Sequence, residues 1–580
     1  MDTEKPVYDL IICGGGLAGL SLARQLDLNG FKASILVLEL LVRPLPEAGF
    51  KIGESTIETG AYYFYNTLQL RDYLEEQHLE KLGLRYFYSS KGDFSSRPEY
   101  GVAKFLPAKS YQLDRGKLEH HLRALVEQSG AELRENVQVK DIDINADGPH
   151  VVTYVENGET RTARARWIVD AMGRPRYLQR KFGLGLKSPG QFNSTWWRVR
   201  GKVSVADFVD KSNTRWHERV HDDRWQSTNH MMGKGYWVWL IPLAPENTSV
   251  GIVTDESIHP FDSYNTYEKS IEWLRQHEPV VADALEGHEV IDFLKLRGYS
   301  YTSKQVFSAD RWACVGVSGV FADPYYSVGS NMIGFANGYL QRMLEMDRAG
   351  TLTTEYVDFA NRYFLALNDF LTDTIHRGYP NHHIGPIMAL KTIWDYFVGW
   401  TTTDPQFYHE TYLDPTLSKV MSGLISRVTV AQARVLELFE VWGKRTDTTG
   451  YTFEFIDYIE DLPTLKHLHV RNLFPKTENF RRMFENVRGA VDRIEELAQV
   501  IFRLAVADVL PEKLHLFPQS GWINIEAISL TPDLWEADGL FSPKTEPRDL
   551  GPLTNEIGRL FVVKMRGEET TFSQSAANAA

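Results

Sequence analysis

The spacing of apolar positions changes twice along this chain. Near the start, Val7–Cys13 is a short, nearly unbroken apolar run ending in glycine, as expected of a strand buried on both faces. Residues 20–26 then read as a helix, and 34–38 return to a short apolar run. Strand, helix and strand in that order predict a βαβ unit on a parallel sheet. From about 151 to 195, and again over 196–202 and 235–254, apolar and polar residues alternate as in antiparallel strands. From about Gly338 the period becomes helical, and 356–373, 429–444 and 486–504 keep apolar residues three and four apart. The expected layout is a discontinuous dinucleotide domain over 1–190 and 290–345 and a β-sheet domain over 191–289. A helical cap over 346–567 and a disordered tail over 568–580 complete it. No internal repeat is visible.

The first turn carries the most specific local signal. Gly14-Gly15-Gly16-Leu17-Ala18-Gly19 follows the first strand directly and opens the helix. Gly14 permits the tight turn, Gly16 lets backbone approach a pyrophosphate, and Gly19 lets helix and strand pack closely, with the helix N-terminus attracting the anion. Glu39 closes the second strand about twenty residues later, where a carboxylate accepts ribose hydroxyls. No second glycine fingerprint occurs in a strand-turn-helix setting.

Composition narrows the partners. With 63 basic against 76 acidic residues, a net charge of −13 and no basic stripe, nucleic acid and anionic membranes are poor partners. No apolar run approaches a membrane span, and no signal peptide is expected, so a soluble cytoplasmic protein is the reading. Cys13 and Cys314 are expected as small core residues. His376, His382 and His383 fit no zinc spacing and are expected in solvent or at the margin of a site, and His120-His121 at the surface. No metal site is expected.

Trp237-Val238-Trp239-Leu240-Ile241-Pro242, taken with the glycine turn, resembles the flavin-dependent halogenases, a branch of the FAD monooxygenases. The resemblance covers roughly the first 345 residues. It implies a Rossmann-like FAD-binding domain of the glutathione-reductase or aromatic-hydroxylase type, an inserted antiparallel substrate sheet and a C-terminal helical region. The segment holding Arg115 is similar to one whose arginine approaches the flavin, and Asp170-Ala171-Met172-Gly173 to the strand returning to the FAD domain. Gly316 through Gly329 matches Gly-Asp-(x)5-Asp-Pro-(x)2-Ser-x-Gly, Pro324 included, but Val317 replaces the aspartate that accepts from the ribityl chain. That loss is expected to weaken FAD by on the order of 1 kcal/mol. FAD contacts are therefore expected at Gly14, Gly16, Leu17, Ala18, Gly19, Glu39, Arg115, Asp170, Gly173, Gly316, Pro324 and Gly329.

By the same resemblance, Trp237 and Trp239 separate substrate from flavin, so that halide rather than substrate is oxidised, giving hypohalous acid. The amides of Val328 and Gly329, after Ser327, hold the halide. Tyr326 occupies the place of the tryptophan branch's glutamate, which favours the phenol or pyrrole branch. The partners implied are a separate reductase delivering reduced FAD, halide, and a small aromatic, free or on a carrier protein.

The family's lysine follows Gly53-Glu54-Ser55 by some thirty residues. Direct alignment puts Phe87 there, and a shifted one selects Lys91. Three readings stay open: a two-component halogenase, an oxygenase or oxidase without halide chemistry, and a non-catalytic FAD-fold binding protein.

Overall fold

In a computed structural model of the chain, the described residues are 7–46, 51–89, 92–188, 190–446, 449–473, 479–518, 521–564 and 569–571. Lys91 lies outside them.

The first sheet runs Phe307–Ser308, Trp312–Cys314, Glu159–Asp170, Val7–Cys13, Ile35–Leu38, Glu132–Arg134, with the hairpin of Val137–Asp143 and His150–Glu156 attached to Glu159–Asp170. Its central pairs are parallel. Side chains alternate across it. Leu10, Ile12 and Val37 enter the main core, while Ile11, Leu36 and Leu38 enter a smaller core on the other face with Cys13 and Cys314. This two-sided burial explains the unbroken apolar runs.

The second sheet runs Val290–Leu296, Phe192–Arg200, Asn247–Asp255, Tyr236–Leu243, Thr228–Gly233, Leu84–Tyr88, Glu99–Gly101, Phe455–Asp457. Four of these strands lie outside the expected 191–289 segment. Leu84–Tyr88 is wholly buried and pairs parallel with Thr228–Gly233, so the sheet is closed by segments far away in sequence. Trp237, Trp239 and Val253 face the main core. Phe87, Val238 and Ile252 face a separate one.

Seven helices frame the rest: α1 Leu17–Leu28, α2 Glu58–Tyr62, α3 Arg115–Gln128, α4 Gly329–Arg348, α5 Thr354–His376, α6 Gly385–Tyr408 and α7 Pro415–Arg445, with Phe480–Val509 packed on α6 and α7. The sequence reading missed α6. It is buried on almost every side, so it has no polar stripe to reveal its period. The expected disordered tail is corrected in part: Glu569–Thr571 is a strand paired with Val562–Lys564, and 572–580 lie outside the described residues. Among the described residues no helix is long and apolar enough to cross a membrane.

Candidate active site

Two helices, α1 and α4, start without a side-chain cap. At the first, Gly14 has φ +115°, and a Cβ there would come within 2.3 Å of Ala171 O. At Gly19 a Cβ would lie 2.2 Å from Gly14 O, so helix and turn close only around glycine. Gly16 precedes α1 with no side-chain cap, and a Cβ at Gly16 would meet only Lys51 Nζ, at 3.4 Å. The bare amides at Leu17 and Ala18 thus face space suited to a pyrophosphate. Glu39 Oε2 accepts from Gly15 N at 2.6 Å and Oε1 from Leu41 N at 2.8 Å, which brings its carboxylate to the rim of the turn. Buried Arg123, which the sequence reading passed over, donates to Leu41 O at 2.8 Å and reaches Glu39 at 3.6 Å. Arg115 lies at the start of α3, with Nη1 donating to Ile52 O at 2.7 Å and Nη2 to Glu119 at 2.6 Å.

Asp170 is fully buried. Its oxygens accept from Met172 N at 3.1 Å and Leu178 N at 2.9 Å, so it shapes the turn that carries Gly173. Gly173 N donates to Ser318 Oγ at 2.6 Å, and a Cβ at Gly173 would lie 3.5 Å from Val317, which presents a methyl group where the family pattern has a carboxylate. Gly316 adopts φ +58° close to Ala18, which joins this segment to the glycine turn. The residues at the turn fit FAD's pyrophosphate; Val317 removes one polar contact further along.

The second helix start follows Asp323-Pro324-Tyr325-Tyr326-Ser327. Ser327 N donates to Pro324 O at 2.9 Å, and Ser327 itself takes φ +59°, a conformation costly for a residue with a Cβ. The sharp turn sets Val328 and Gly329 at the start of α4. That helix has 20 residues and no side-chain cap, and a Cβ at Gly329 would touch nothing within 4 Å. Bare amides and the helix dipole suit an anion there.

Trp237 and Trp239 stand side by side with ring centroids 5.5 Å apart. Trp237 Nε1 donates to Tyr379 OH at 2.9 Å, and Tyr379 OH donates to Asp323 Oδ2 at 3.0 Å. Trp239 Nε1 donates to Ser249 Oγ at 3.1 Å, and Ser249 donates to Glu54 Oε2 at 2.8 Å. Glu54 also receives Arg198 at 2.7 Å, so the Gly-Glu-Ser segment is bolted to the tryptophan sheet through fully buried charge. Tyr325 packs edge-on to Trp237 at 5.4 Å and stacks on His382 at 5.1 Å. His382 is completely buried and His376 lies 3.7 Å from Asp323; of the two expected placements, solvent or the margin of a site, both take the second, because α5 and α6 fold this loop against the aromatic cluster.

A cavity of about 90 Å³ opens between the second helix start and the cap. Val328, Tyr326 and Asn331 line it on one element, Leu367 and Phe370 on α5, and Asp395, Trp400 and Asp404 on α6. Lys81 and Glu58 complete the polar lining. Lys81 is 3% exposed, and its ammonium donates to Ser55 Oγ and Thr56 O, both at 2.8 Å, with no carboxylate in bonding contact among the described residues. Burial pushes its pKa down to about 7, opposed by the nearby Glu58 charge. Phe87, by contrast, packs against Phe94 at 4.7 Å in the separate core, on the sheet face away from the tryptophans. A lysine at that position would not reach the cavity. Lys81 was not singled out from the sequence. Its signal was a charge lodged between Leu79, Leu82 and Leu84, next to a strand with no exposed face.

The chain resembles known proteins in the same terms. A family model described as FAD binding domain matches residues 7–257. Flavin-dependent halogenase chlA of Dictyostelium discoideum is 31% identical over 376 residues, covering 58% of this chain and 60% of that protein, less than two thirds of its length. The 1H-pyrrole-2-carbonyl-(peptidyl-carrier protein) chlorinase of Pseudomonas fluorescens is 26% identical over 344 residues, covering 56% of this chain and 72% of that one. Among solved structures, halogenase PltM in complex with phloroglucinol and FAD superposes with a TM-score of 0.58 at 17% identity, over 84% of this chain and 96% of the other. At that identity the likeness is one of fold.

Proposed function

We propose that this chain is a flavin-dependent halogenase, a two-component enzyme acting on an electron-rich phenol or pyrrole, with Lys81 as its catalytic lysine. FAD, when bound and reduced by a separate reductase, supplies activated oxygen that converts halide to hypohalous acid. The want of a second glycine fingerprint supports an external reductase. The observation that carries the reading is a buried ammonium without a carboxylate partner, in the same cavity as Val328.

An ammonium held by a hydroxyl and a carbonyl keeps an N–H free for a third partner. Hydrogen-bonded to hypohalous acid, it favours departure of hydroxide. The ring carbon forms the carbon–halogen bond as the halogen–oxygen bond breaks, the leaving hydroxide takes the Lys81 proton and departs as water, and the ring proton returns to the amine. The lowered pKa suits both halves of this cycle near neutral pH. Trp237 and Trp239, anchored through Tyr379 and Ser249, form the wall that keeps the ring from the flavin.

The test is Lys81→Met assayed with reduced FAD, halide and a panel of phenols and pyrroles, with products read by mass. Halogenation is expected to fall by at least about a thousandfold, with FAD affinity within roughly twofold of the parent. Halogenation at the parent rate would overturn the assignment. Lys91→Ala is the matched control and is expected to halogenate like the parent.

A further inference from the structure

Three carboxyl groups share the cavity with Lys81, and the chemistry above uses none of them; two, Glu58 and Asp404, stand out. Glu58 is the first residue of α2, and Asp404 comes from α6 in the cap. Thr59 Oγ1 donates to Asp404 Oδ1, which ties the two elements together at the cavity wall. Burial and the Glu58 charge raise the Asp404 pKa to about 8, so near neutral pH it is an acid with a proton to donate. Glu58, also raised by burial, lies near the Lys81 charge, which favours its ionised, accepting form.

The same cavity holds two polar atoms with nothing to bond. Asn331 Oδ1 and Asp395 Oδ1 are buried acceptors without a partner, in side chains 3% and 4% exposed. The other Asp395 oxygen is occupied, accepting from Tyr326 OH at 2.6 Å and from Lys391. Buried acceptors left unpaired are unfavourable, and a ligand bringing hydrogen-bond donors relieves them.

A group set between a donor acid and an accepting carboxylate must offer both a proton and a lone pair. A hydroxyl does. A pyrrole N–H offers only the proton, and an ether or carbonyl only the lone pair. Resting on the halogenase reading for the place of the substrate, we infer that Glu58 and Asp404 are the specificity-determining pair for a ring hydroxyl. Glu58 accepts its proton, Asp404 donates to its oxygen, and the free oxygens of Asn331 and Asp395 take a second hydroxyl of the same ring. The substrate class is a small polyhydroxylated phenol, and pyrroles are rejected because they leave the Asp404 proton unpaired.

Calorimetric titration of the enzyme loaded with oxidised FAD tests this without turnover. Resorcinol is expected to bind roughly tenfold more tightly than phenol, and unsubstituted pyrrole, which carries no acceptor for the Asp404 proton, to give no saturable heat. Asp404→Leu should weaken resorcinol at least about tenfold, whereas Asp404→Asn, which keeps a donor, should stay within about threefold. If Asp404→Leu does not fold, Glu58→Leu, which removes the acceptor, takes its place, with the same tenfold loss expected. Equal affinity for resorcinol and the pyrrole, no resorcinol binding, or parent-like affinity in either losing variant would overturn the pair. Such a result beside Lys81-dependent halogenation of another ring sinks the pair alone. Parent-like halogenation by Lys81→Met beside an intact binding preference sinks the halogenase reading alone.

Discussion

The glycine turn and the cavity under the cap recognise their ligands by opposite means. The turn works through what is missing: no Cβ at Gly14 or Gly19, and no cap at the start of α1. Its ligand meets backbone amides, and the elements involved are neighbours in sequence. The cavity works through side chains placed where they are costly. Lys81, Glu58 and Asp404 are buried ionisable groups contributed by segments more than three hundred residues apart. A site built of backbone tolerates little change of shape, while a site built of buried charge trades stability for chemistry.

The contrast can be broken first at the turn. Gly19→Val forces a side chain into Gly14 O and is expected to cost more than about 4 kcal/mol, leaving no FAD on the purified protein by absorbance. Normal flavin content would show that the turn relaxes more easily than its contacts suggest.

Two buried lysines sharpen it next. Lys391 is bonded to Asp395 and Thr374 O, so its charge is answered, whereas Lys81 meets only neutral atoms. Lys391→Met strands the Asp395 carboxylate and should destabilise by about 3 kcal/mol in urea unfolding. Lys81→Met removes an ammonium that burial already disfavours and that bonds no carboxylate, and should cost less than about 1 kcal/mol in the same unfolding. Similar losses in both would erase the distinction between them.

Asp404 gives a smaller effect of opposite sign. Its folded pKa is raised, so the native state holds a proton that the unfolded chain has released, and stability falls as pH climbs from about 4 to 8. Asp404→Asn removes that dependence and should stabilise by on the order of 2 kcal/mol at neutral pH. Melting curves at several pH values should show the gain shrinking toward pH 5, and a constant gain would point to packing instead. Smallest is Val317→Asp, which restores one polar contact and should tighten FAD by about 1 kcal/mol in a fluorescence titration. Unchanged affinity would mean that this side chain does not face the ribityl chain.

The same contrast explains what the sequence made legible. Residues 7–39 could be read because strand, turn, helix and acid are contiguous and each has a local signature. The tryptophan strand was legible because its motif is contiguous too. Lys81 was not, since burial of a lysine is decided by Leu84–Tyr88 entering a sheet most of whose strands come from residues beyond 190. Nor was Asp404, which sits in a helix with no amphipathic period and bonds to a threonine at the other end of the chain. The histidine loop could be read only down to two placements for the same reason: polar residues around a proline carry no local sign of the two long helices that cover them.

The central claim is that the Lys81 ammonium is the acid of the halogenation step, and the pH dependence of kcat tests it most directly. An alkaline limb governed by a group near 7 is expected, with rate falling as Lys81 loses its proton. Because the Glu58 charge holds the Lys81 pKa up, Glu58→Gln should move that limb to lower pH. A profile flat through pH 9 in the parent, or a limb that stays in place in Glu58→Gln, would contradict it.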